Sequence, residues 1–232
     1  MVFVIAEIGV NWNGDLQLVE EMVFKAKKIG CDAVKFQSFT KELVKEHPKW
    51  ELLMKSSISE NNIEQINNIC KKIGIEWFCT PMYVEAVKLL EPYVNRYKVR
   101  FSDGIPIIQN KKSEIFDAIL KTKKDIIISS QHSPKNCQHY NNSKIKWLYC
   151  VPKYPCSVED LDFKKIKDFD GYSNHFPDII APITSCILGV EIIEIHITSS
   201  KSKDYVDNPV SFDYMELQEM IKFIRMSEQI KK

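Results

Sequence analysis

The stretch GYSNHFPDIIAPITSCILGVEIIEIH, residues 171–196, contains two short strand-like segments that each end in a histidine. The first segment is Gly171–His175 and the second is Val190–His196, and residues 177–188 between them have the length and composition of a helix. A strand, a helix and a second strand in this order favour a parallel β-α-β unit. If the two strands are neighbours, the two histidines meet at the carboxyl edge of the sheet.

This pair of histidines predicts a metal site. Imidazole is the commonest metal-binding side chain, and two imidazoles with open coordination positions are typical of a catalytic site rather than a structural one. His175 and His196 are therefore the predicted metal ligands. Because alternate side chains of a strand share a face, Ser173 and Glu194 accompany them. A lone histidine is more often a satisfied core or surface residue, so it is the pairing that favours the ligand role.

Short apolar runs alternate with amphipathic stretches along the whole chain. Strands are predicted over residues 2–8, 33–37, 75–79, 96–99, 125–129, 145–150, 171–173 and 190–196. Helices are predicted over residues 16–29, 58–73, 84–90, 107–121, 158–168, 177–188 and 212–230. Eight strands that alternate with helices predict a closed (β/α)₈ barrel, whose active site lies at the carboxyl ends of the strands.

Two segments interrupt this pattern. Residues 130–143 are polar, contain Pro134 and lack apolar periodicity, so the fifth helix is predicted to be missing or reduced to a turn. Residues 40–57 are predicted to be irregular and are long enough to form part of a lid. Residues 1–232 are interpreted as one barrel domain, because barrels of about 200–250 residues commonly fold as single units.

Composition excludes several classes of function. The formal net charge of +1 gives no argument for binding nucleic acid or an anionic membrane surface. No apolar run approaches the roughly 20 residues of a membrane helix, and the amino terminus lacks the basic segment of a signal peptide. The seven cysteines form no C-x-x-C pair, which indicates buried free thiols in a reducing compartment. A cytoplasmic location is expected.

Three charged residues stand where strands should be buried. Lys35 and Lys98 each lie within a short apolar run, although an unpaired buried charge is costly. Two inward lysines near a barrel mouth would suit a phosphate or carboxylate ligand, and the alternative is a lysine that snorkels from a strand edge. Glu7 ends the first strand, where a carboxylate can bind metal, orient a hydroxyl or transfer protons; the alternative is a structural ion pair.

Taken in order, the motifs of this chain resemble those of the N-acetylneuraminate (sialic acid) synthase family. The resemblance covers nearly the whole chain, and the motifs are specific in combination although each is weak alone. They are IAEIGVNWNG at 5–14, DAVKFQ at 32–37, CTP at 79–81, YK at 97–98, LYC at 148–150, YP at 154–155, GYSNH at 171–175, EIHIT at 194–198, and Asp207, Ser211 and Glu216-Leu217.

The resemblance implies a TIM barrel and a specific reaction. Family members condense phosphoenolpyruvate with an N-acetylated amino sugar, such as N-acetylmannosamine, in its open-chain aldehyde form. The products are a nine-carbon 2-keto sugar acid of the sialic acid type and phosphate, and a divalent metal, Mn²⁺ or Mg²⁺, assists. Such members can form homodimers, so a homodimer is possible here.

The resemblance also implies a role for individual residues. His175 and His196 would hold the metal, and Glu7 and Glu194 would lie beside the metal and its water. The phosphoenolpyruvate site would comprise Lys35, Lys98, Ser129, Ser173 and the nearby Thr80. The sugar would meet Gln37, Tyr154 and Asp207. The implied catalytic residues are Glu7, Glu194, Lys35 and Lys98.

The chain also departs from the family pattern. Trp12 stands where the family has histidine, and Asn174 stands where it has aspartate. The run after Lys98, VRFSDG at 99–104, replaces a small-Ser-Gly-Glu run, and a carboxyl-terminal antifreeze-like domain is expected to be absent. Two alternatives therefore stay open. One is another metal-dependent barrel aldolase or lyase that acts on 2-keto sugar acids, and the other is an inactive homologue that binds a ligand or a partner enzyme.

Overall fold

A computed structural model describes residues 1–230 of the chain, and within them eight parallel strands close into a barrel. Each strand pairs with the next along the chain, and the first pairs with the last. The strands are β1 (Phe3–Gly9), β2 (Ala33–Ser38), β3 (Glu76–Pro81), β4 (Arg96–Val99), β5 (Asp125–Ser130), β6 (Ile145–Cys150), β7 (Gly171–Asn174) and β8 (Ile192–His196). The predicted (β/α)₈ barrel is confirmed.

Helices cover the outside of the barrel. They are α1 (Leu16–Ile29), α2 (Lys41–Val44), α3 (Trp50–Lys55), α4 (Ile63–Ile73), α5 (Val84–Leu90), α6 (Phe101–Ile108), α7 (Glu114–Lys121), α8 (Ile180–Ile187) and α9 (Tyr214–Ile230). Helix α1 shows how local sequence sets these elements. The Asp15 side chain caps its first turn by accepting hydrogen bonds from two backbone N–H groups, and Gly30 ends it at φ +112°.

The two faces of each strand have different environments. In β2, Phe36 points outward and packs edge-to-face against Trp12 and Trp77, with ring centroids 6.5 and 6.1 Å apart. The alternate residues Lys35 and Gln37 point into the barrel and line its cavity. This is the division that the period of two predicts, and it places charged side chains inside the ring of strands.

Two successive crossovers lack an α-helix. The segment between β5 and β6 contains only a 3₁₀ turn at Pro134–Asn136. The prediction that the fifth barrel helix, the one that would follow β5, is missing or reduced to a turn is therefore confirmed. The helix predicted over 158–168 is wrong, because this stretch forms two 3₁₀ segments, Val158–Asp160 and Phe163–Asp168. The backbone of Leu161 is extended between them, at φ −83° and ψ 124°, and this interrupts any helical hydrogen-bond ladder.

Other boundaries also differ from the prediction. The single helix predicted over 107–121 is wrong: α6 ends before Asn110, which lies at φ +56°, and Ser113 starts α7 by accepting a hydrogen bond from the Phe116 N–H. Residues 40–57 are not irregular throughout, because they contain α2 and α3. Helix α4 begins at Ile63 rather than at residue 58.

The remaining sequence-based expectations concern thiols and membranes. All seven cysteines are buried thiols that form no disulfide, as predicted, and burial raises the pKa of the Cys70 thiol to about 12. Within residues 1–230, no helix combines the length and the apolar character that crossing a bilayer would require.

Candidate active site

A cavity of about 380 Å³ opens at the carboxyl ends of the strands. All twelve side chains that the sequence predicted for the site line it: Glu7, Lys35, Gln37, Thr80, Lys98, Ser129, Tyr154, Ser173, His175, Glu194, His196 and Asp207. The other lining residues are Met82, Arg100, Phe101, Ser102, Cys150 and Pro152. The barrel thus collects into one space residues from all eight strands and the loops that follow them.

Strand register explains why these side chains meet at one level. Glu7 on β1 lies opposite both Lys35 on β2 and His196 on β8. Ser173 on β7 lies opposite Glu194 on β8. Neighbouring inward side chains at equal height are close enough for direct contact, so the pairings along the barrel wall determine the ion pairs inside it.

Lys35 is buried between two carboxylates. Its Nζ lies 2.9 Å from Glu7 Oε2 and 3.9 Å from Glu194 Oε2, and it donates a hydrogen bond of 3.1 Å to Thr80 Oγ1. Burial alone would lower the pKa of Lys35, but the carboxylates of Glu194 and Glu7 outweigh burial and raise it above its usual value. Lys35 is therefore a stable cation at neutral pH.

Lys98 completes this network on the other side of Glu194. Its Nζ donates a hydrogen bond of 2.7 Å to Ser129 Oγ and lies 3.2 Å from Glu194 Oε1, which also accepts a bond of 2.9 Å from Ser173 Oγ. Burial would raise the pKa of Glu194, but the two lysines lower it to about 2. Both lysines are 3% exposed, so the alternative of lysines snorkelling from an edge is wrong.

The two histidines meet as predicted. Their ring centroids are 5.6 Å apart, and both side chains are buried. His175 Nδ1 donates a hydrogen bond of 2.7 Å to the Val151 carbonyl, which leaves its other ring nitrogen free. Burial, with a further contribution from His196, lowers the pKa of His175 to about 3, so its imidazole is neutral. The Tyr154 ring lies against His175 at 3.9 Å between centroids.

Asp207 approaches the second histidine from the loop after β8. Its Oδ2 lies 3.2 Å from His196 Nδ1, outside hydrogen-bond geometry. Burial lowers the pKa of His196, but the Asp207 carboxylate outweighs it and raises that pKa above its usual value. The nearby Gln37 amide donates a hydrogen bond of 2.7 Å to Glu7 Oε1. The residues predicted for the sugar therefore lie on the histidine side of the cavity.

The donor atoms of the histidine pair suit a divalent metal. The free ring nitrogen of His175 is a neutral donor. His196 Nδ1 lies beside the Asp207 carboxylate, so the other ring nitrogen of His196 is the one that could bind a metal. Over the same part of the chain, no three His, Cys, Asp or Glu side chains form a ready ligand set. These residues could form a metal site with two imidazole ligands, in which the remaining coordination positions are open to water or to a substrate oxygen.

The sequence analysis missed six residues of the cavity wall, among them Arg100 and Ser102. Arg100 and Ser102 line the mouth because α6 begins at Phe101, directly after β4. The Arg100 Nε is held 2.7 Å from Asp103 Oδ2. Period two could have indicated Arg100, since it lies two residues beyond Lys98 on the same face. Ser102 gave no such signal, because its position depends on where the helix starts.

Two of the departures from the family motifs, Trp12 and Asn174, lie outside the cavity wall. Trp12 is buried and packs against Phe36. Asn174 accepts a hydrogen bond of 2.9 Å from the Tyr172 hydroxyl and donates one of 2.7 Å to the Phe176 carbonyl. Both residues have structural contacts of their own, and neither lines the cavity.

Comparison with known proteins agrees with this geometry. The model of the NeuB family matches residues 22–232. The chain belongs to the NeuB family. An uncharacterized protein of Methanocaldococcus jannaschii is 32% identical over 98% of this chain and 71% of its own length. The N,N'-diacetyllegionaminic acid synthase of Legionella pneumophila is 28% identical over 98% of this chain and 72% of its own length.

A solved structure shows the same fold. The crystal structure of the N-acetylneuraminic acid synthetase of Leptospira borgpetersenii superposes with a TM-score of 0.86 at 24% identity, covering 99% of this chain and 84% of that one. The resemblance seen in the sequence motifs is thus confirmed at the level of the family and of the barrel.

Proposed function

We propose that this NeuB family member is a metal-dependent synthase that joins phosphoenolpyruvate to an N-acetylated amino sugar in its aldehyde form. The products would be a nine-carbon 2-keto sugar acid and phosphate. The observation that carries the proposal is one cavity in which Lys35 and Lys98 flank Glu194, with two imidazoles beside them. Family membership and a relative named as a diacetyllegionaminic acid synthase support the same type of reaction.

Phosphoenolpyruvate fits the lysine side of the cavity. It carries a carboxylate and a phosphate, and Lys35 and Lys98 are buried cations separated by one carboxylate. The hydroxyls of Thr80 and Ser129, which now accept hydrogen bonds from the lysines, can turn to donate to an anion. Binding both ends of phosphoenolpyruvate would fix the direction in which its C3 carbon attacks.

The acceptor sugar fits the histidine side of the cavity. His175 and His196 would hold Mn²⁺ or Mg²⁺, which when bound acts as a Lewis acid towards the aldehyde oxygen. The lowered pKa of His175 keeps its imidazole in the neutral form that a ligand requires. Gln37, Tyr154 and Asp207 border the same region and would contact the hydroxyls and the acetamido group of the sugar.

The reaction then proceeds in two stages. The C3 carbon of phosphoenolpyruvate attacks the aldehyde carbon, the carbon–carbon bond forms, and the aldehyde oxygen takes up a proton to become a hydroxyl. Water adds to the resulting cationic C2 and gives one proton to a carboxylate. The new C2 hydroxyl then loses its proton to the departing phosphate as the C2–oxygen bond to phosphate breaks, which leaves the 2-keto group.

Glu194 is the better-placed carboxylate to accept that proton. Its buried Oε2 lies 3.9 Å from Lys35 Nζ, whereas Glu7 Oε2 lies 2.9 Å from that nitrogen, so the Glu194 oxygen is the less closely paired of the two. Its pKa is low because both lysines hold it as an anion. A bound phosphoenolpyruvate competes for the same lysines, weakens their effect on Glu194 and raises its pKa towards that of a working base. Glu7 stays paired with Lys35 on the histidine side.

A phosphate-release screen tests the proposal. Purified protein is mixed with phosphoenolpyruvate, Mn²⁺ and single acceptors drawn from N-acetyl hexosamines, diacetamido sugars and simple aldoses. Phosphate release that needs both substrates, with a new 2-keto acid, supports the synthase. Cleavage of a 2-keto sugar acid to pyruvate without phosphate release would instead indicate an aldolase. Absence of both turnover and Mn²⁺ binding would indicate an inactive homologue.

A further inference from the structure

The side chain of Asn11 joins two parts of the chain that are far apart in sequence. It lies just after β1, is 0% exposed, and donates hydrogen bonds of 2.9 Å to the Ile197 carbonyl and to Ser211 Oγ. Its Oδ1 accepts a hydrogen bond of 3.1 Å from the Asp207 backbone N–H. Every one of these partners belongs to the segment that follows β8, residues 197–211, here named the β8 loop.

The β8 loop presents Asp207 to the site. The Asp207 backbone is held at both ends, because Asn11 binds its N–H and Ser211 Oγ donates a bond of 2.7 Å to its carbonyl. With the backbone fixed in this way, the Asp207 carboxylate lies 3.2 Å from His196 Nδ1. A carboxylate beside a ring nitrogen orients the imidazole.

Gly9 leaves room for this arrangement. It lies at φ +54° where β1 ends, and a side chain there would stand 3.1 Å from Asp207 Oδ2, 3.2 Å from Glu7 Oε1 and 3.3 Å from Gln37 Nε2. The end of β1 thus brings three functional side chains together, while Asn11 two residues later holds the loop that carries one of them.

We propose that Asn11 is a positioning residue that fixes the geometry of the acceptor-binding half of the site. It acts through the β8 loop on Asp207 and His196. The expected change in KM rests on the proposed function. The expected loosening of the β8 loop rests on the hydrogen bonds alone. Asn11 does not line the cavity, so it acts on a substrate only through the loop that it holds.

The kinetic test compares Asn11→Ala with a matched buried asparagine. Asn67 on α4 is 7% exposed and accepts a hydrogen bond of 3.3 Å from Trp77 Nε1, so Asn67→Ala also removes a buried amide, but one that bonds to β3 rather than to the β8 loop. Asn11→Ala is expected to raise the acceptor KM about tenfold or more, while the phosphoenolpyruvate KM changes less than about twofold. Asn67→Ala should leave the ratio of the two KM values unchanged.

A double-mutant cycle shows whether Asn11 acts through Asp207. In an Asp207→Ala background, Asn11→Ala should have little further effect on the acceptor KM, because the group that it positions is gone. Ser211→Ala, a smaller change that is expected to fold even if Asn11→Ala does not, should give a weaker effect of the same selectivity. An equal rise of both KM values, or a full effect of Asn11→Ala without the Asp207 carboxylate, would overturn the proposal.

Hydrogen exchange separates this proposal from the proposed function. Amides of the β8 loop should exchange faster in Asn11→Ala and in Ser211→Ala, while those of β2 keep the wild-type rate; in Asn67→Ala the loop should keep the wild-type rate. This measurement needs no turnover, so it stands even if the wild-type protein releases no phosphate with any acceptor. Unchanged exchange of the β8 loop in both variants would refute the positioning role.

Discussion

Replacing Lys35 with methionine should destabilise the barrel strongly, although the side chain keeps almost the same volume. The change removes the cation that lies 2.9 Å from Glu7 and 3.9 Å from Glu194, and both carboxylates stay buried. Removing one partner of a buried ion pair costs about 3–5 kcal/mol. For a domain of this size each kcal/mol lowers the melting temperature by about 2–4 °C, so a decrease of roughly 6–20 °C is expected.

Thermal unfolding followed by circular dichroism measures this effect at pH 7. Lys72→Met is the matched control, because the Lys72–Glu20 pair is exposed to solvent and contributes little to stability. The double variant Lys35→Met/Glu7→Gln should recover part of the loss, since it also removes one of the unpaired charges. If Lys35→Met melts at the same temperature as Lys72→Met, the account of the buried network is wrong.

The same substitution has a kinetic signature. Because Lys35 is proposed to bind phosphoenolpyruvate, Lys35→Met should raise the KM for phosphoenolpyruvate more than the KM for the acceptor. A lysine with only a structural role would lower the melting temperature and leave both KM values unchanged in the molecules that remain folded. The two measurements together therefore distinguish a binding role from a structural one.

Three further predictions follow from the site. His175→Ala and His196→Ala should each abolish metal-dependent activity and weaken Mn²⁺ binding in a paramagnetic-resonance titration, with little change in far-UV circular dichroism; retained activity in both would refute the ligand assignment. Because the folded-state pKa of Glu194 is lowered to about 2, its stabilising contribution is present above about pH 4.5 and is lost as the pH falls towards 2. Denaturant unfolding of Glu194→Gln should therefore depend less on pH in that window than the wild type, and an equal dependence would contradict the cause given for the shift. Gly9→Ala should lower the free energy of unfolding by more than the roughly 1–2 kcal/mol that a side chain costs in left-handed backbone, and it should also raise the acceptor KM. Gly74→Ala, which has no atom within 4 Å of its added methyl group, should show the cost of the left-handed backbone alone.

The barrel could be predicted because its signal is local. Each strand alternates outward apolar and inward residues with a period of two, and the alternation with helical stretches favours a parallel sheet. The position of Lys35 and Lys98 inside such strands predicted that both lysines point into the barrel, and both line its cavity. The missing fifth helix was equally visible, because residues 130–143 lack the apolar face that a helix needs to pack against a sheet.

The errors arose where tertiary contacts decide the local structure. Residues 158–168 have a helical pattern, but they form two 3₁₀ segments, and between these segments the Asp162 N–H donates a hydrogen bond to the Tyr149 hydroxyl. Helix α6 starts at Phe101, immediately after β4, and this start brings Ser102 to the cavity mouth. Neither event has a signature in the period of the apolar residues.

The sequence by itself determined the barrel, the inward side chains and the two histidines at neighbouring strand ends, because each of these depends on repeats of a few residues. Only the tertiary structure decided which carboxylate faces which lysine and how Asp207 reaches His196. The Asn11–Asp207 hydrogen bond joins residues 196 positions apart, and it exists because β1 and β8 pair when the barrel closes. Distances of this kind follow from strand register and closure, which no local pattern encodes.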